Sequence, residues 1–273
     1  KIYSTIKPTD KNKRRTKQRT SGGGQDKDLP GSTHNDSVLD KYAVNLTELA
    51  ITGKLEPVIG REDTVKELVQ ILCRRTKNNP ILTGEPGVGK TAVVEQLAHR
   101  IVHRDVPSSL REKQIYTLDL ASLVAGTIYR GQFEERLKDV ITYVQSHPNI
   151  LIFIDEIHML VGAGSTTGSM DASNILKPSL ARGTLTCIGA TTTQEYKEFI
   201  EDDGALERRF QSIHVDEPTD DQVVEILKGI KFKYEEFHNV KYTIPVVKEI
   251  VRLSDRYLTD KNFPDKAIDI LDE

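Results

Sequence analysis

The sequence predicts an α/β fold in which a parallel sheet is sandwiched by helices and followed by a small all-helical domain. Three observations predict it. Strand-like and helix-like segments alternate between Arg61 and Val215, a glycine-rich loop sits between one such strand and the next helix, and strand signals stop after Pro218. Alternating strands and helices bury their apolar faces best as a parallel sheet covered on both sides.

Each element follows from local spacing. Between Arg61 and Arg74 the apolar residues Val65, Leu68, Val69 and Leu72 recur at helical intervals, and Pro80-Ile81-Leu82-Thr83 then reads as a short buried strand. A helix with Val93, Leu97 and Ile101 on one face follows, then a strand from Ile115 to Leu120 and a helix carrying Phe133, Leu137, Val140 and Val144. Strands at Ile150 to Asp155, Leu185 to Ala190 and near Ser212 to Val215 complete the alternation. Thr219 and Gln222 form a capping-box signature ahead of Ile226, Leu227 and Ile230, and further helices are predicted at Ile244 to Tyr257 and Pro264 to Asp272. The expected division is a tail over 1–36, an α/β core over 37–218 and a helical domain over 219–273 that lacks a helix stop signal and is truncated.

Charge separates the tail from the rest. The formal net charge of the 273 residues is −3, yet residues 1–36 hold nine basic and four acidic side chains, leaving 29 basic and 37 acidic for the remainder. The tail, with its basic run Lys11 to Arg19 and Ser21-Gly22-Gly23-Gly24, has too few apolar side chains to offset the entropy of ordering. It reads as a disordered basic linker, with a targeting remnant and a nucleic-acid-binding arm as the competing readings. The acidic body argues against a nucleic-acid binder. The longest apolar run, Ile150 to Ile154, is far short of the roughly 20 residues a membrane span needs. Cys73 and Cys187 lie in apolar periodic segments and read as buried thiols, which suggests a reducing soluble compartment, either cytoplasm or an organelle stroma or matrix. With no start methionine, the chain is expected to be a processed form or a fragment.

The chemistry concentrates in two segments. Gly84-Glu85-Pro86-Gly87-Val88-Gly89-Lys90-Thr91 matches G-x-x-x-x-G-K-[ST] between a predicted strand and a predicted helix. Glycines let backbone N–H groups turn inward around phosphate oxygens, and the helix presents its positive end to the same anion. Lys90 is placed to reach the β and γ phosphates, and the Thr91 hydroxyl suits Mg²⁺. Further on, Leu151-Ile152-Phe153-Ile154 delivers Asp155 and Glu156 to the C-terminal end of a strand, where ligands bind in such sheets. Asp155 suits Mg²⁺ or its waters, while Glu156 points elsewhere and can polarise an attacking water. This pairing favours hydrolysis over transfer to a substrate hydroxyl, although spacing alone leaves a small-molecule kinase open. No Asn-Lys-x-Asp guanine reader is present, which disfavours a GTPase.

The motifs together resemble AAA+ ATPases, and within them the first ATPase domain of Clp unfoldases of the ClpB and ClpC type. The resemblance spans about Leu39 to Glu273 and rests on residues 53–61 (Gly-Lys-Leu-Glu-Pro-Val-Ile-Gly-Arg), on residues 74–80 (Arg-Arg-Thr-Lys-Asn-Asn-Pro), and on the phosphate loop. It also rests on Gly189-Ala190-Thr191-Thr192, on residues 205–210 (Ala-Leu-Glu-Arg-Arg-Phe) and on residues 264–269 (Pro-Asp-Lys-Ala-Ile-Asp).

The resemblance implies roles that the spacing alone leaves open. It implies that Val58 and Ile59 contact adenine, with Ile226, Leu227 and Pro264 closing the pocket from a helical lid; read alone, Ile226 and Leu227 are core residues. Thr192 matches the family's sensor position, against the alternative of a helix N-cap. Arg208 and Arg209 match arginine fingers that complete a neighbouring subunit's site, which implies a homo-oligomeric ring, a hexamer. Tyr129 matches a pore-loop aromatic that grips unfolded polypeptide, with Ile128 where many relatives have Lys, and Gly162 to Gly168 resembles a second pore loop. Lys266 falls in the sensor-2 region. The implied activity is ATP hydrolysis to ADP with Mg²⁺, driving polypeptide through a ring for disaggregation or for a ClpP-type protease. Two alternatives stand beside it: a nucleotide-gated assembly module whose main motor lies elsewhere, and an AAA+ protein acting on nucleic acid. His99 and His103 share a helix face at metal-ligand spacing but have no third ligand nearby, and read as surface histidines. No Ser-His-Asp set is identifiable.

Overall fold

The computed structural model describes residues 38–127, 130–161 and 172–273. The basic tail, Tyr129 with Ile128, and the 162–168 stretch lie outside the described residues. Six strands form one sheet: β1 (Ala43–Asn45), β2 (Asn79–Thr83), β3 (Gln114–Leu118), β4 (Ile150–Ile154), β5 (Cys187–Thr191) and β6 (Phe210–His214). Their order is β1-β3-β4-β5-β2-β6. All neighbours pair in parallel except β1, an edge strand that runs antiparallel to β3. That mixed edge was not predicted, because three residues carry too little alternation to register as a strand.

The middle of the sheet is dry. Every residue of β2, β4 and β5 is buried, as expected for parallel strands with helices on both faces. The side-chain period of two then divides β4 between two cores. Ile150, Ile152 and Ile154 pack with Phe133, Leu137 and Val140 on one side, while Leu151 and Phe153 pack with Leu68, Val93 and Leu97 on the other. The helices Glu62–Leu72 and Lys90–Val102 cover that second face, and Arg130–Ser146 and Ser173–Ala181 cover the first.

After β6 come three helices, Asp220–His238, Ile244–Tyr257 and Asp265–Asp272. Their apolar faces make a separate core of Val223, Leu227, Ile230, Val247, Val251 and Leu271. The first begins with the capping box read from the sequence, the Thr219 side chain accepting from the Gln222 N–H and the Gln222 side chain accepting from the Thr219 N–H. Near its other end the buried Glu235 accepts hydrogen bonds from Lys231 at 2.7 Å, the Tyr242 N–H at 2.8 Å and Lys241 at 3.3 Å. Lys231 first, then the Tyr242 N–H and Lys241, hold its carboxyl down to about 2.

The two cysteines differ from expectation in one respect. Cys187 is buried in β5, and burial pushes its thiol up to about 12, but Cys73 is exposed just past the end of its helix.

Two predictions follow from packing and charge. Gly189 on β5 has Ile157 and Ile81 side-chain atoms 3.2 Å from where a Cβ would stand, so Gly189→Val should lower the urea unfolding free energy by about 1–3 kcal/mol. Because the Glu235 carboxyl is lowered in the folded state, its stabilisation is present above the ordinary 4.5 and is lost as pH falls towards 2. Glu235→Gln should therefore lower the melting temperature at pH 7, by a margin that narrows between pH 5 and pH 2.

Candidate nucleotide site

Strand order brings the predicted site together. β5 lies between β4 and β2, so Asp155 and Glu156 after β4, Thr192 after β5 and the loop after β2 emerge side by side at the C-terminal edge of the sheet. The loop is a tight cradle. Gly87 and Gly89 take left-handed backbone angles, φ 79° and 91°, which glycine adopts without strain. A Cβ on Gly84 would stand 2.5 Å from the Val215 carbonyl oxygen, and one on Gly87 2.8 Å from the Asp265 Cβ. Val88, between Gly87 and Gly89, is buried and anchors the loop in the core.

Lys90 starts the following helix, and its buried Nζ donates to the carbonyl oxygens of Gly84 and Glu85 at 2.9 and 3.0 Å. The Thr91 hydroxyl donates to Asp155 Oδ2 at 3.2 Å. A hydroxyl and a carboxylate oxygen side by side at the cradle's mouth fit Mg²⁺, which takes few protein oxygens alongside phosphate oxygens and water. Arg61 pins the loop from outside, donating to the Val88 carbonyl at 2.5 Å and to the Asp216 carbonyl at 3.0 Å. Its burial lowers the guanidinium pKa, with Asp216 opposing.

Glu156 stands on a strained turn. Its φ is +51°, uncommon outside glycine, and the turn is held because the next residue, Ile157, is buried against Gly189 and donates its N–H to the Ala190 carbonyl at 3.0 Å. Burial pushes the Glu156 carboxyl up; Asp155 and Glu195 add to this, while His158 and Lys90 oppose it.

Thr192 is the N-cap of a short helix, Thr193–Tyr196, in a full capping box with Glu195. The cap alternative is thus what the geometry displays, while the residue still stands beside the cradle, one position past the end of β5. Burial raises the Glu195 carboxyl, but hydrogen bonds from Thr192 and Thr191 outweigh it and hold the group below its usual value.

The pocket beside the cradle is lined from the core by Val58, Ile59, Val88 and Ala92, and from the helical domain by Ile226, Ile230, Pro264 and Ile268. Leu227, expected here, is fully buried in the helical domain's own core and does not line the pocket; at helical spacing, adjacent residues face about 100° apart. Glu95 also faces the pocket, its carboxyl raised by burial and by Glu56, with Lys233 opposing. The domains meet closely: Gly229 leaves room for Ile59, whose Cδ1 is 2.1 Å from a hypothetical Cβ, and Asn262 donates to the Pro86 carbonyl at 3.0 Å. Lys266 turns away, its buried ammonium lying over the Phe263 ring at 4.1 Å and near Asp255 and Glu217 at 3.4 and 3.7 Å.

Arg208 and Arg209 sit apart from this cluster. They precede β6, whose Phe210 pairs with Asn79 at the start of β2, so they lie at the opposite edge of the sheet from their own cradle, roughly 13–16 Å along a five-residue strand. Asn79 fixes this corner, accepting from the Cys187 N–H at 2.9 Å and donating to the Arg209 carbonyl at 3.4 Å. Arg208 is exposed and borders an open hollow with Thr76, Gly204 and Ala205. His99 and His103 form no metal cluster among the described residues; His103 Nδ1 is 2.8 Å from the His99 carbonyl.

Sequence reading did not single out Arg61 for a role, nor Glu95, His158, Glu195 or Asn262. Arg61 stood inside a motif already noted, and Glu195 in the S/T-x-x-E pattern at Thr192. Asn262 and Glu95 gave no local signal.

A glycine cradle at the start of a helix, with a paired hydroxyl and carboxylate beside it and an apolar pocket under a helical lid, defines a P-loop nucleotide-binding module. Comparison agrees: residues 80–215 match the ATPase family associated with various cellular activities (AAA), and residues 219–273 match the AAA lid domain. The chain belongs to the AAA ATPase family. It is 57% identical over 251 residues to chaperone protein ClpB of Chlamydia trachomatis, covering 92% of this chain and 29% of that protein. It is 55% identical over 237 residues to ClpB of Aquifex aeolicus, covering 87% and 24% respectively. The chain thus spans less than a third of these relatives. Among solved structures it resembles Hsp104 bound to ATPγS and FITC casein, with TM-score 0.79, 48% identity, and coverage of 86% of this chain and 40% of that one. The S. cerevisiae Hsp104–ADP complex gives TM-score 0.79 and 49% identity over 86% of this chain and 33% of that one.

If Gly229 is what lets the lid close, Gly229→Val should weaken ATP and ADP binding about tenfold, or about 1.4 kcal/mol. Fluorescent-nucleotide titration measures this, and unchanged affinity would show that the Ile59 contact does not govern closure.

Proposed function

We propose that this chain is an ATP-hydrolysing, Mg²⁺-dependent motor domain of a ClpB-type chaperone, which threads unfolded polypeptide through a ring and so disaggregates it. The observation that carries the reading is the convergence of the cradle, the Thr91–Asp155 pair and Glu156 at one sheet edge beneath the lid. Core 37–218 and lid 219–273 then act as two jaws on one nucleotide.

The chemistry divides among named groups. Loop N–H groups from Gly84 to Thr91, Pro86 excepted, and the Lys90 ammonium hold the phosphates, and Val58, Ile59, Ile226 and Pro264 wall the adenine. Thr91 and Asp155 would hold Mg²⁺, which supplies positive charge against the phosphate oxygens when bound. Glu156 takes a proton from the attacking water as the water oxygen bonds to the γ-phosphorus and the bond to the β-phosphate oxygen breaks. Burial, which raises its carboxyl, makes it the better base near neutral pH. Thr192, one position past the end of β5, is the residue we take to sense the γ-phosphate.

Arg208 and Arg209 serve the neighbour. A long side chain does not span the sheet to its own cradle, which is compatible with the role the family resemblance implies, completing a neighbouring subunit's site in a homo-oligomeric ring, a hexamer. Polypeptide as cargo rests on likeness to Hsp104 structures that hold casein, and Tyr129 is the residue proposed to grip it. A ClpP-type protease is the finer partner reading that a ClpC-type function would need. Unpaired cysteines fit a reducing compartment, cytoplasm or organelle, and no helix among the described residues is long and apolar enough to cross a membrane.

In full-length rings, Glu156→Gln should keep ATP binding and lower turnover by about 10²-fold or more, whereas Lys90→Ala should lose binding. Arg208→Ala and Arg209→Ala should lower turnover about 10³-fold while leaving nucleotide affinity of the unassembled chain unchanged. Unchanged turnover in Glu156→Gln would overturn the catalytic assignment. Turnover spared but assembly lost in Lys90→Ala would favour the assembly-module reading instead.

A further inference from the structure

We infer that His158 is a positioning residue for hydrolysis: its Nδ1, hydrogen-bonded to Thr191, stands at ion-pair distance from the Glu156 and Glu195 carboxylates and so ties the Glu156 turn to the cap formed by Thr191, Thr192 and Glu195. The inference rests on the reading of Glu156 as the base. His158 Nδ1 lies 3.3 Å from Glu156 Oε2, 3.2 Å from Glu195 Oε2 and 3.0 Å from Thr191 Oγ1. Glu156 follows β4, whereas Thr191 ends β5 and Glu195 caps the next helix, so one ring nitrogen answers to two neighbouring strands.

Counting donors shows what the imidazole N–H meets. The fully buried Thr191 hydroxyl donates its single proton to Glu195 Oε2 at 3.0 Å and therefore faces His158 as an acceptor. Glu195 Oε2 also receives the Thr192 N–H at 3.1 Å and the Thr192 hydroxyl at 2.7 Å. That oxygen is already well supplied. The Glu156 carboxylate is about half exposed on a strained backbone, and among the described residues no Lys or Arg stands within ion-pair distance of it. His158 is thus the side chain that restrains it.

The ring itself is held. Its side chain is 17% exposed and stacks on Phe199, centroids 6.2 Å apart and planes 23° from parallel. Phe199 belongs to the Lys197–Glu201 π-turn, anchored by the buried Ile200. Any shift of the Thr192 cap on loss of the γ-phosphate therefore reaches Glu156 through one imidazole hub. The same two carboxylates and imidazole could be arranged around a metal, but Glu195 is already committed to three donors, which favours the hub.

The test uses assembled full-length protein and steady-state ATP hydrolysis, with ring sizing in ATP alongside. His158→Phe keeps the stacked ring and removes the N–H; kcat should fall about 10- to 100-fold, the scale expected for a misplaced catalytic group, with KM for ATP unchanged within about twofold. His158→Asn places an amide N–H near the Nδ1 position and should restore most of kcat, whereas His158→Gln, which mimics Nε2, should not. In a Glu156→Gln background His158→Phe should add no further loss. Wild-type kcat in His158→Phe, or equal loss in the Asn and Gln variants, would overturn the inference, and the Asn–Gln contrast decides it if the Phe variant does not assemble. Failure of the underlying reading is distinct, since Glu156→Gln would then itself retain turnover.

Discussion

A backbone that must approach other backbone more closely than any side chain permits governs this structure. Gly84 lies against the Val215 carbonyl and Gly87 against Asp265, so the phosphate cradle is wedged between the end of β6 and the lid. Arg61 then clamps both the cradle and the segment after β6 through two carbonyls. A cradle built this way is pre-organised before any anion arrives, and its glycines have already lost the freedom that would otherwise oppose binding. It also seats the helical domain against the glycine loop, because Asn262 and Asp265 touch the loop directly.

The same economy of space shapes the turn that carries Glu156. Gly189 is flat enough for Ile157 to sit beneath β5, and Ile157 holds Glu156 in its left-handed conformation. Strain at such a residue persists only where surrounding packing over-determines it, and here the buried Ile157 and its hydrogen bond to Ala190 do so. The polar layer above, from Thr191 through Glu195 to His158, then links the turn after β4 to the turn after β5. Packing beneath thus holds the Glu156 turn, while the His158 ring above stands at ion-pair distance from its carboxylate.

Much of this was legible in the sequence, for physical reasons. β2, β4 and β5 are continuous apolar runs because both sheet faces are covered, and the phosphate loop's glycines are demanded by its geometry. The capping boxes at Thr219 and Thr192 are local and readable. What escaped were contacts between residues distant in sequence: Asn262 on Pro86, Gly229 under Ile59, and His158 facing Glu195. Leu227, read alone as a core residue, is one; the resemblance put it in the pocket, which its neighbour Ile226 lines instead. Edge strand β1 and the exposure of Cys73 depend on neighbours that composition does not reveal.

The central claim is that one nucleotide is gripped by the cradle and the lid together. Hydrogen–deuterium exchange of the assembled protein, with and without ATP, tests it most directly. Slowed exchange is expected both at the amides of residues 84–91 and in the lid segments around residues 226–230 and 262–268. Protection confined to the loop, with the lid segments unchanged, would contradict a shared grip and leave the lid a bystander to nucleotide binding.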